Sequence, residues 1–152
     1  MKLSPLGARV LSIREGVRTK SYKDTKGIWT VGIGDIDINN DGVRDVTKDT
    51  TLTMEQVISN FMLDVKWAED CVNTNVTVPL TQNMFDSLVS FTFNIGATAF
   101  KYSTLLRMLN RKDYEGARKC FDMWHIPKSI ISRRNSEQQQ FMKDYDGAKK
   151  EI

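Results

Sequence analysis

Three polar side chains of different chemistry follow one another near the start of this 152-residue chain. Glu15 ends a predicted helix, Asp24 comes nine residues later in a predicted turn, and Thr30 comes six residues after that in a predicted strand. Glycoside hydrolysis requires two carboxyl groups in unlike surroundings, one to protonate the leaving oxygen and one to direct water. A threonine hydroxyl both donates and accepts hydrogen bonds, so it can hold that water. The pattern favours an active site within residues 15–34.

Local patterns predict the elements that carry these residues. Ser4-Pro5 suits the start of a helix and Gly16 suits its end, so Glu15 falls in the last turn. The helix dipole disfavours a carboxylate there, so helix stabilisation does not account for it. The alternative is a solvent-exposed glutamate or one paired with an arginine. A hairpin is predicted over 21–34, where an Asp-Thr-Lys-Gly turn is followed by alternating apolar residues.

The segment after the hairpin, 35–49, holds five aspartates in fifteen residues. Its spacing matches positions 1, 3, 5, 6, 7 and 9 of a calcium-binding loop. Position 12 is Lys48 in place of the bidentate acid, and Asp49 comes one place late. The segment is therefore either a structural calcium site or an acidic turn facing solvent. The candidate ligands are Asp37, Asn39, Asp41, Val43 and Asp45.

The remainder of the chain is predicted to be helical. Thr53 and Gln56 form a capping box before a long apolar face, which predicts a helix of about 20 residues. A second, buried helix is expected from Pro79 to the Asn94-Ile95-Gly96 stop. Three shorter helices are expected at 103–109, 113–124 and 130–142. Short connections favour antiparallel neighbours, so the fold class is α+β and mostly helical.

Composition and charge exclude several classes of protein. A hydrophobic share of 40% with 27% charged residues is typical of a globular domain. No apolar run reaches the roughly 18 residues of a membrane helix, and the first residues do not resemble a signal peptide. Residues 1–100 carry 10 Lys/Arg against 12 Asp/Glu, and residues 101–152 carry 12 against 7. The basic second part fits either a solvated face or an anionic polymer, and no nucleic-acid motif accompanies it.

The cysteines and the single histidine argue against a zinc site and against a serine–histidine catalytic triad. Cys71 and Cys120 form no CxxC pair, so free thiols are expected, although a disulfide is compatible with the sequence. His125 is the single histidine, so neither a His-rich zinc site nor a serine–histidine triad is expected.

These residues resemble a known family, the phage endolysin lysozymes of glycoside hydrolase family 24. The active-site pattern of that family is a glutamate, eight residues, an acid or cysteine, five residues and a threonine, as in Glu15, Asp24 and Thr30. Similar segments follow in the same order: VPLTQNMFDSLVSFTFNIG at 78–96, STLLRMLNRKDYEGA at 103–117, and a closing RR-x2-E at 133–137.

The resemblance implies a single lysozyme-like catalytic domain over 1–152 with a two-lobed fold. The small N-terminal lobe with its β-hairpin would span about 15–60, and the connecting helix about 53–73. The helical C-terminal lobe would span about 74–152 and include the first helix, 4–15. The substrate cleft would lie between the lobes.

The implied activity is that of an endolysin muramidase, which hydrolyses the β-1,4 bond between N-acetylmuramic acid and N-acetylglucosamine and lyses the host cell. By family analogy Glu15 would be the general acid, while Asp24 and Thr30 would activate a water on the opposite face and invert the anomeric centre. Arg133 or Arg134 would lie near Glu15. The predicted substrate contacts are Ile36, Phe93, Ser103 and Thr104.

The implied partners are peptidoglycan glycan strands, with no required cofactor, no nucleic acid and no membrane insertion. We expect a monomer that stays in the host cytoplasm until a separate holin-type protein permits its release to the wall. The alternatives are a lytic transglycosylase acting on the same bond and a catalytically silent wall-binding module. The chain departs from the family where Gly34 is followed by Asp35 instead of histidine, and in the acidic loop after it.

Overall fold

The computed structural model describes residues 1–145. Within them, long helices and one small sheet follow the predicted order. The helices are α1 (Pro5–Glu15), α2 (Met54–Asn75), α3 (Gln82–Ile95), α4 (Ala97–Lys101), α5 (Thr104–Asn110), α6 (Tyr114–Cys120) and α7 (Ile131–Met142). Strands β1 (Arg18–Lys23) and β2 (Trp29–Gly32) form the antiparallel sheet, and two short 3-10 helices occupy Phe121–Met123 and Lys128–Ile130. The predicted α+β, mostly helical class is confirmed.

The structure differs from the prediction at two element boundaries and in one additional helix. The first strand begins at Arg18, earlier than residue 21, because the helix already stops at Glu15. The helix predicted over 113–124 ends at Cys120 and tightens into a 3-10 turn. The short helix α4, which the sequence pattern did not indicate, follows directly after Gly96.

Side-chain caps explain where most helices begin. The Ser4 hydroxyl accepts the Gly7 N–H at 2.9 Å. Thr53 and Gln56 form the predicted capping box, with reciprocal bonds of 3.1 and 2.8 Å. At the starts of α3, α5 and α6, one side chain each accepts a main-chain N–H; these caps are Thr81, Ser103 and Asp113. Each such cap contributes roughly 1 kcal/mol, so local sequence specifies these starts.

The described chain divides into two compact units within α2, between Asp64 and Val65. One unit is residues 8–64, whose buried apolar side chains include Val31, Val57 and Phe61. The prediction placed helix 4–15 with the C-terminal lobe; residues 1–7 cluster with that part, and the predicted lobe bounds stay a prediction. Residues 146–152 of the predicted C-terminal lobe lie outside the described residues.

The second unit, residues 1–7 and 65–145, is built around α3. Every residue of α3 from Met84 to Thr92 is buried, and α3 packs mainly against α7. The ring of Phe91 meets Phe100, Phe121 and Trp124 edge-on, with centroids 5.0 to 6.5 Å apart. Cys71 and Cys120 are free thiols. Among residues 1–145, no helix has the length and apolar character needed to cross a membrane.

Candidate active site

Glu15 is the last residue of α1 and is half-buried. The helix stops there because Gly16 adopts the left-handed conformation, with a φ of 87°. Its N–H donates to the carbonyls of Ser12 and Ile13, both at 3.1 Å, which completes the last turn. The chain then turns into β1, so Glu15 lies at the junction of helix and hairpin.

Asp24 lies in the turn between the strands, with its carboxylate folded back onto the main chain. Its Oδ1 accepts the N–H groups of Lys26 and Ile28, at 2.8 and 2.9 Å. This is an Asx turn, which fixes the direction of the carboxylate. No residue from 1 to 145 donates a hydrogen bond to Oδ2. That oxygen can therefore accept a bond from a water molecule.

Thr30 lies on β2 opposite Tyr22 and is only 3% exposed. Its hydroxyl donates to the Ile28 carbonyl at 3.0 Å, and the same carbonyl accepts the Asp24 N–H at 2.9 Å. The backbone of Ile28 therefore links both candidate residues: its N–H donates to the Asp24 carboxylate and its carbonyl accepts the Thr30 hydroxyl. Because the Thr30 proton is used in this bond, Oγ1 meets any further partner as an acceptor.

The hairpin that carries both residues is braced on its surface and at its outer edge. The Arg18 guanidinium lies 4.6 Å above the Tyr22 ring, and the Lys23 ammonium lies 5.3 Å from the centroid of Trp29 on the partner strand. Main-chain bonds from residues 50–52 pair with β1, including the Leu52 N–H to Thr19 carbonyl bond of 2.8 Å. The backbone around Asp24 and Thr30 is thereby held in one conformation.

Asp35 closes the tight turn after β2 and is the main feature of this region that sequence reasoning missed. Val31 and Asp35 exchange two main-chain hydrogen bonds of 2.9 Å. A β-carbon placed on Gly32 would lie 3.3 Å from the Asp35 carboxylate, so the carboxylate is folded against the turn. Burial, and then the charge of Asp64, raise the pKa of Asp35 to about 6. The sequence shows an acid here but not its nearness to Asp64, which lies on α2.

The acidic loop uses its side chains to hold its own backbone. Oxygens of Asp37, Asn39, Asp41 and Asp45 accept main-chain N–H groups of residues 38, 41, 42 and 43 at 2.7 to 3.3 Å. Across the described range, no three or more His, Cys, Asp or Glu side chains are grouped so as to hold a metal ion. Val43, the remaining candidate ligand, donates its N–H to the Asp41 carboxylate. The calcium site stays a prediction.

The four predicted substrate contacts differ in solvent exposure and in the contacts of their side chains. Ile36 and Phe93 are half-buried, and Phe93 stacks on Trp67 with centroids 5.8 Å apart. Ser103 is 4% exposed, and its hydroxyl donates to the Phe100 carbonyl and accepts the Leu106 N–H. The hydroxyl thus serves as the cap of α5, and the contact of Ser103 with substrate stays a prediction. Thr104 Oγ1 accepts the Arg107 guanidinium at 2.9 Å and stays half-exposed.

Arg133 and Arg134 both bind Glu137, a fully buried carboxylate on the same helix. Arg134 also donates to Asn94 and to the Trp124 carbonyl, and burial lowers its pKa. Arg133 donates to the Ser90 carbonyl at 3.0 Å. These bonds join α7 to α3, and the proximity of either arginine to Glu15 stays a prediction.

Comparison with known proteins identifies the family of this chain. The phage lysozyme family model matches residues 12–137, which include Glu15, Asp24 and Thr30. The endolysin of Salmonella phage P22 is 38% identical over 149 residues, covering 93% of this chain and 99% of that protein. A crystal structure of a point mutant of P22 lysozyme superposes with a TM-score of 0.80 at 38% identity, covering 93% of this chain and 99% of that one.

A second solved structure supports the same assignment. The endolysin from Escherichia coli O157:H7 phage FAHEc1 is 30% identical and superposes with a TM-score of 0.78, covering 95% of this chain and 96% of that one. Sequence and structure are therefore shared along almost the full length of these phage proteins. The chain belongs to the phage lysozyme family.

Proposed function

We propose that this endolysin of the phage lysozyme family is a muramidase, which hydrolyses the β-1,4 bond between N-acetylmuramic acid and N-acetylglucosamine in peptidoglycan. The observation that carries the proposal is that the Ile28 backbone holds both Asp24 and Thr30. Two acceptor oxygens held in this way have a purpose when water must be oriented for attack.

In the proposed reaction, Glu15 protonates the glycosidic oxygen as its bond to the anomeric carbon breaks. A water that donates to Asp24 Oδ2 attacks the anomeric carbon from the opposite face, and Thr30 Oγ1 accepts its other hydrogen. Asp24 takes the proton that the water loses, so the anomeric carbon gains the hydroxyl of the water, the leaving oxygen keeps the proton from Glu15, and the anomeric configuration inverts. Solvent then restores the starting protonation of both carboxyl groups.

The nearest alternative is a lytic transglycosylase, which cleaves the same bond but leaves an anhydro sugar and adds no water. Only hydrolysis uses a water-orienting pair, so the fixed Asp24–Thr30 arrangement favours it. Mass spectrometry of the digestion products in ¹⁸O-labelled water distinguishes the two reactions. Hydrolysis adds one labelled oxygen at the new reducing end, whereas anhydro products would contradict the proposal.

The other alternative is a wall-binding module without activity. We expect the parent protein to clear a suspension of cell walls and Glu15→Gln to lose that clearing, because the amide cannot donate the required proton. The variant should keep the parent melting temperature and circular dichroism spectrum. Clearing by Glu15→Gln at the parent rate would exclude Glu15 as the acid, and no clearing by the parent would favour the silent module.

We further propose that the protein acts as a monomer, without a cofactor, and reaches the wall with the help of a separate holin-type protein. Sedimentation equilibrium tests the first point. Expression in the host cytoplasm with and without a membrane-permeabilising protein tests the second. Rapid lysis without such a protein would contradict it.

A further inference from the structure

Trp67 is a large aromatic side chain on α2 that the fold leaves open to solvent. It is 42% exposed, whereas a tryptophan that only fills a core is mostly buried. Its ring stacks on Phe93 of α3, with centroids 5.8 Å apart and planes inclined by 28°. Both residues belong to the unit of residues 1–7 and 65–145. We call these two side chains the aromatic pair.

The backbone that carries the aromatic pair is held by buried residues. The neighbours of the pair along the two helices are fully buried; they are Val65, Ala68, Phe91 and Thr92. Just after Phe93, the Gly96 N–H donates to the Thr92 carbonyl at 2.9 Å and ends α3. A ligand that stacks on the pair therefore meets rings that are already in place, which lowers the entropy cost of binding.

The indole of Trp67 also has a polar group that the fold does not use. Its Nε1–H is a hydrogen-bond donor, and no residue from 1 to 145 accepts a bond from it. A tryptophan buried for packing normally pairs this group. Sites for small polar molecules combine aromatic contact area with a few polar groups, so Trp67 has the features of a ligand contact.

The charges of α2 around Trp67 favour a neutral ligand. From residue 64 to residue 70 the helix carries three acids and one lysine, so one positive against three negative charges gives −2. The lysine, Lys66, pairs with Asp70 at 3.2 Å, which leaves the other two acids without a cation from this stretch. A ligand that carries a carboxylate would be repelled here.

We propose that the aromatic pair binds an N-acetylglucosamine unit of the glycan strand, with Trp67 stacking on the sugar ring and its indole N–H donating to a sugar oxygen. The proposal rests on the proposed function, because it takes the glycan strand as the polymer bound. The ring substituents of β-linked N-acetylglucosamine are equatorial, so its C–H groups form an apolar face that matches an aromatic ring. N-acetylmuramic acid carries a carboxylate or an acidic peptide, which the charge near Trp67 disfavours.

The first test observes Trp67 directly, in the Glu15→Gln background so that the ligand is not cleaved. With 5-fluorotryptophan incorporated, each of the three tryptophans gives one ¹⁹F signal, and the Trp67→Tyr variant identifies that of Trp67. The probes are glycan strands stripped of their peptides by an amidase, and chitotetraose, which contains N-acetylglucosamine alone. Both should shift the Trp67 signal. A signal that neither probe moves, or that only the strands or only peptide-bearing fragments move, would overturn the proposal.

Matched substitutions separate stacking on a sugar from packing against Phe93. Trp67→Leu keeps an apolar side chain but has no ring and no N–H, so it should bind the strands about tenfold more weakly. Trp67→Tyr keeps a ring and should retain most of the affinity. The control is Leu6→Ala, which removes an exposed apolar side chain from α1 and should bind like the parent.

With Glu15 present, Trp67→Leu should raise KM by about tenfold with little change in kcat, because the stacking is made in the ground state and the transition state alike. Parent affinity in Trp67→Leu would overturn the proposal, as would a fall in kcat at unchanged KM, which would indicate a structural role. Failure of the proposed function would appear separately, in the masses of the digestion products.

Discussion

In the proposed mechanism Asp24 and Thr30 each act through one side-chain oxygen, and substitutions of similar shape can test each oxygen separately. In Asp24→Asn the amide oxygen still accepts the two N–H groups that Oδ1 accepts now, but the side chain can no longer take a proton. We expect kcat to fall by about 10²-fold or more, with little change in KM or in melting temperature. Assays of product release on soluble peptidoglycan fragments measure this.

Thr30→Val and Thr30→Ser form the matched pair at the other residue. Valine removes the acceptor oxygen and serine keeps it, so serine should retain most of the activity that valine loses. Equal activity of the two variants would contradict a role for the hydroxyl. Because Thr30 is buried, valine also leaves the Ile28 carbonyl short of a donor, and we expect a stability loss of about 1 kcal/mol.

Asp35 predicts a pH dependence of stability with a definite sign. Its pKa is about 6 in the folded protein against an ordinary value of 3.8, so the folded state binds more protons than the unfolded state between these values. The free energy of unfolding contributed by Asp35 therefore falls as pH rises from about 4 to about 6. Since the side chain is half-exposed, we expect about 1 kcal/mol, less than the full shift implies.

The Asp35→Asn variant should lack this loss, because its side chain does not titrate. Urea unfolding at pH 4 and pH 7 measures the difference: the variant should gain about 1 kcal/mol over the parent between the two values. Asp64→Asn removes the second cause of the shift and should give a smaller effect of the same sign. A stability difference that is the same at both pH values would contradict this account.

At the scale of elements, the acidic loop has the residue spacing of a calcium loop, and a substitution can measure whether its fold depends on calcium. Asp37 accepts the N–H groups of Asp41 and Gly42, at 3.3 and 2.7 Å, and Asn39 also accepts the Asp41 N–H at 3.3 Å, so the loop has internal support. We expect Asp37→Ala to lower the melting temperature of the parent by a few degrees, since the Gly42 N–H loses its acceptor. A chelator should leave the parent melting temperature unchanged. Measurable heat of calcium binding in a calorimetric titration would instead support the calcium hypothesis.

Local sequence specified the elements better than it specified the site. Caps such as Thr53 with Gln56 and stops such as Gly16 act within a few residues, so helix starts and ends could be predicted closely. Glu15, Asp24 and Thr30 could be singled out because they follow one another in a short stretch. The cap formed by Ser103 could be read from sequence, whereas its predicted contact with substrate is not tested by the fold. The nearness of Asp64 to Asp35 involves distant positions in the chain, which no local pattern reveals.

At the scale of the whole molecule, one of the two compact units is built from two separate stretches of the chain. Residues 1–7 belong with residues 65–145, although residues 8–64 separate them in sequence. The contact is specific: the buried Asp86 accepts the Ser4 N–H at 3.0 Å and the Ser4 hydroxyl, while Gln82 also donates to it. A carboxylate that lies at the N-terminus of α1 also stabilises the dipole of that helix.

This arrangement predicts that the fragment 65–152 does not fold cooperatively alone and does so when a peptide of residues 1–15 is added. Without the peptide, the fragment lacks both the hydrogen bonds from Ser4 to Asp86 and the close packing of Gly7 against that carboxylate. Thermal unfolding followed by circular dichroism, with increasing peptide, measures the effect. A peptide with Ser4→Ala should bind about tenfold more weakly, because it loses the hydroxyl bond to a charged acceptor. A fragment that melts cooperatively without peptide, at the temperature of the whole chain, would contradict the dependence on residues 1–7.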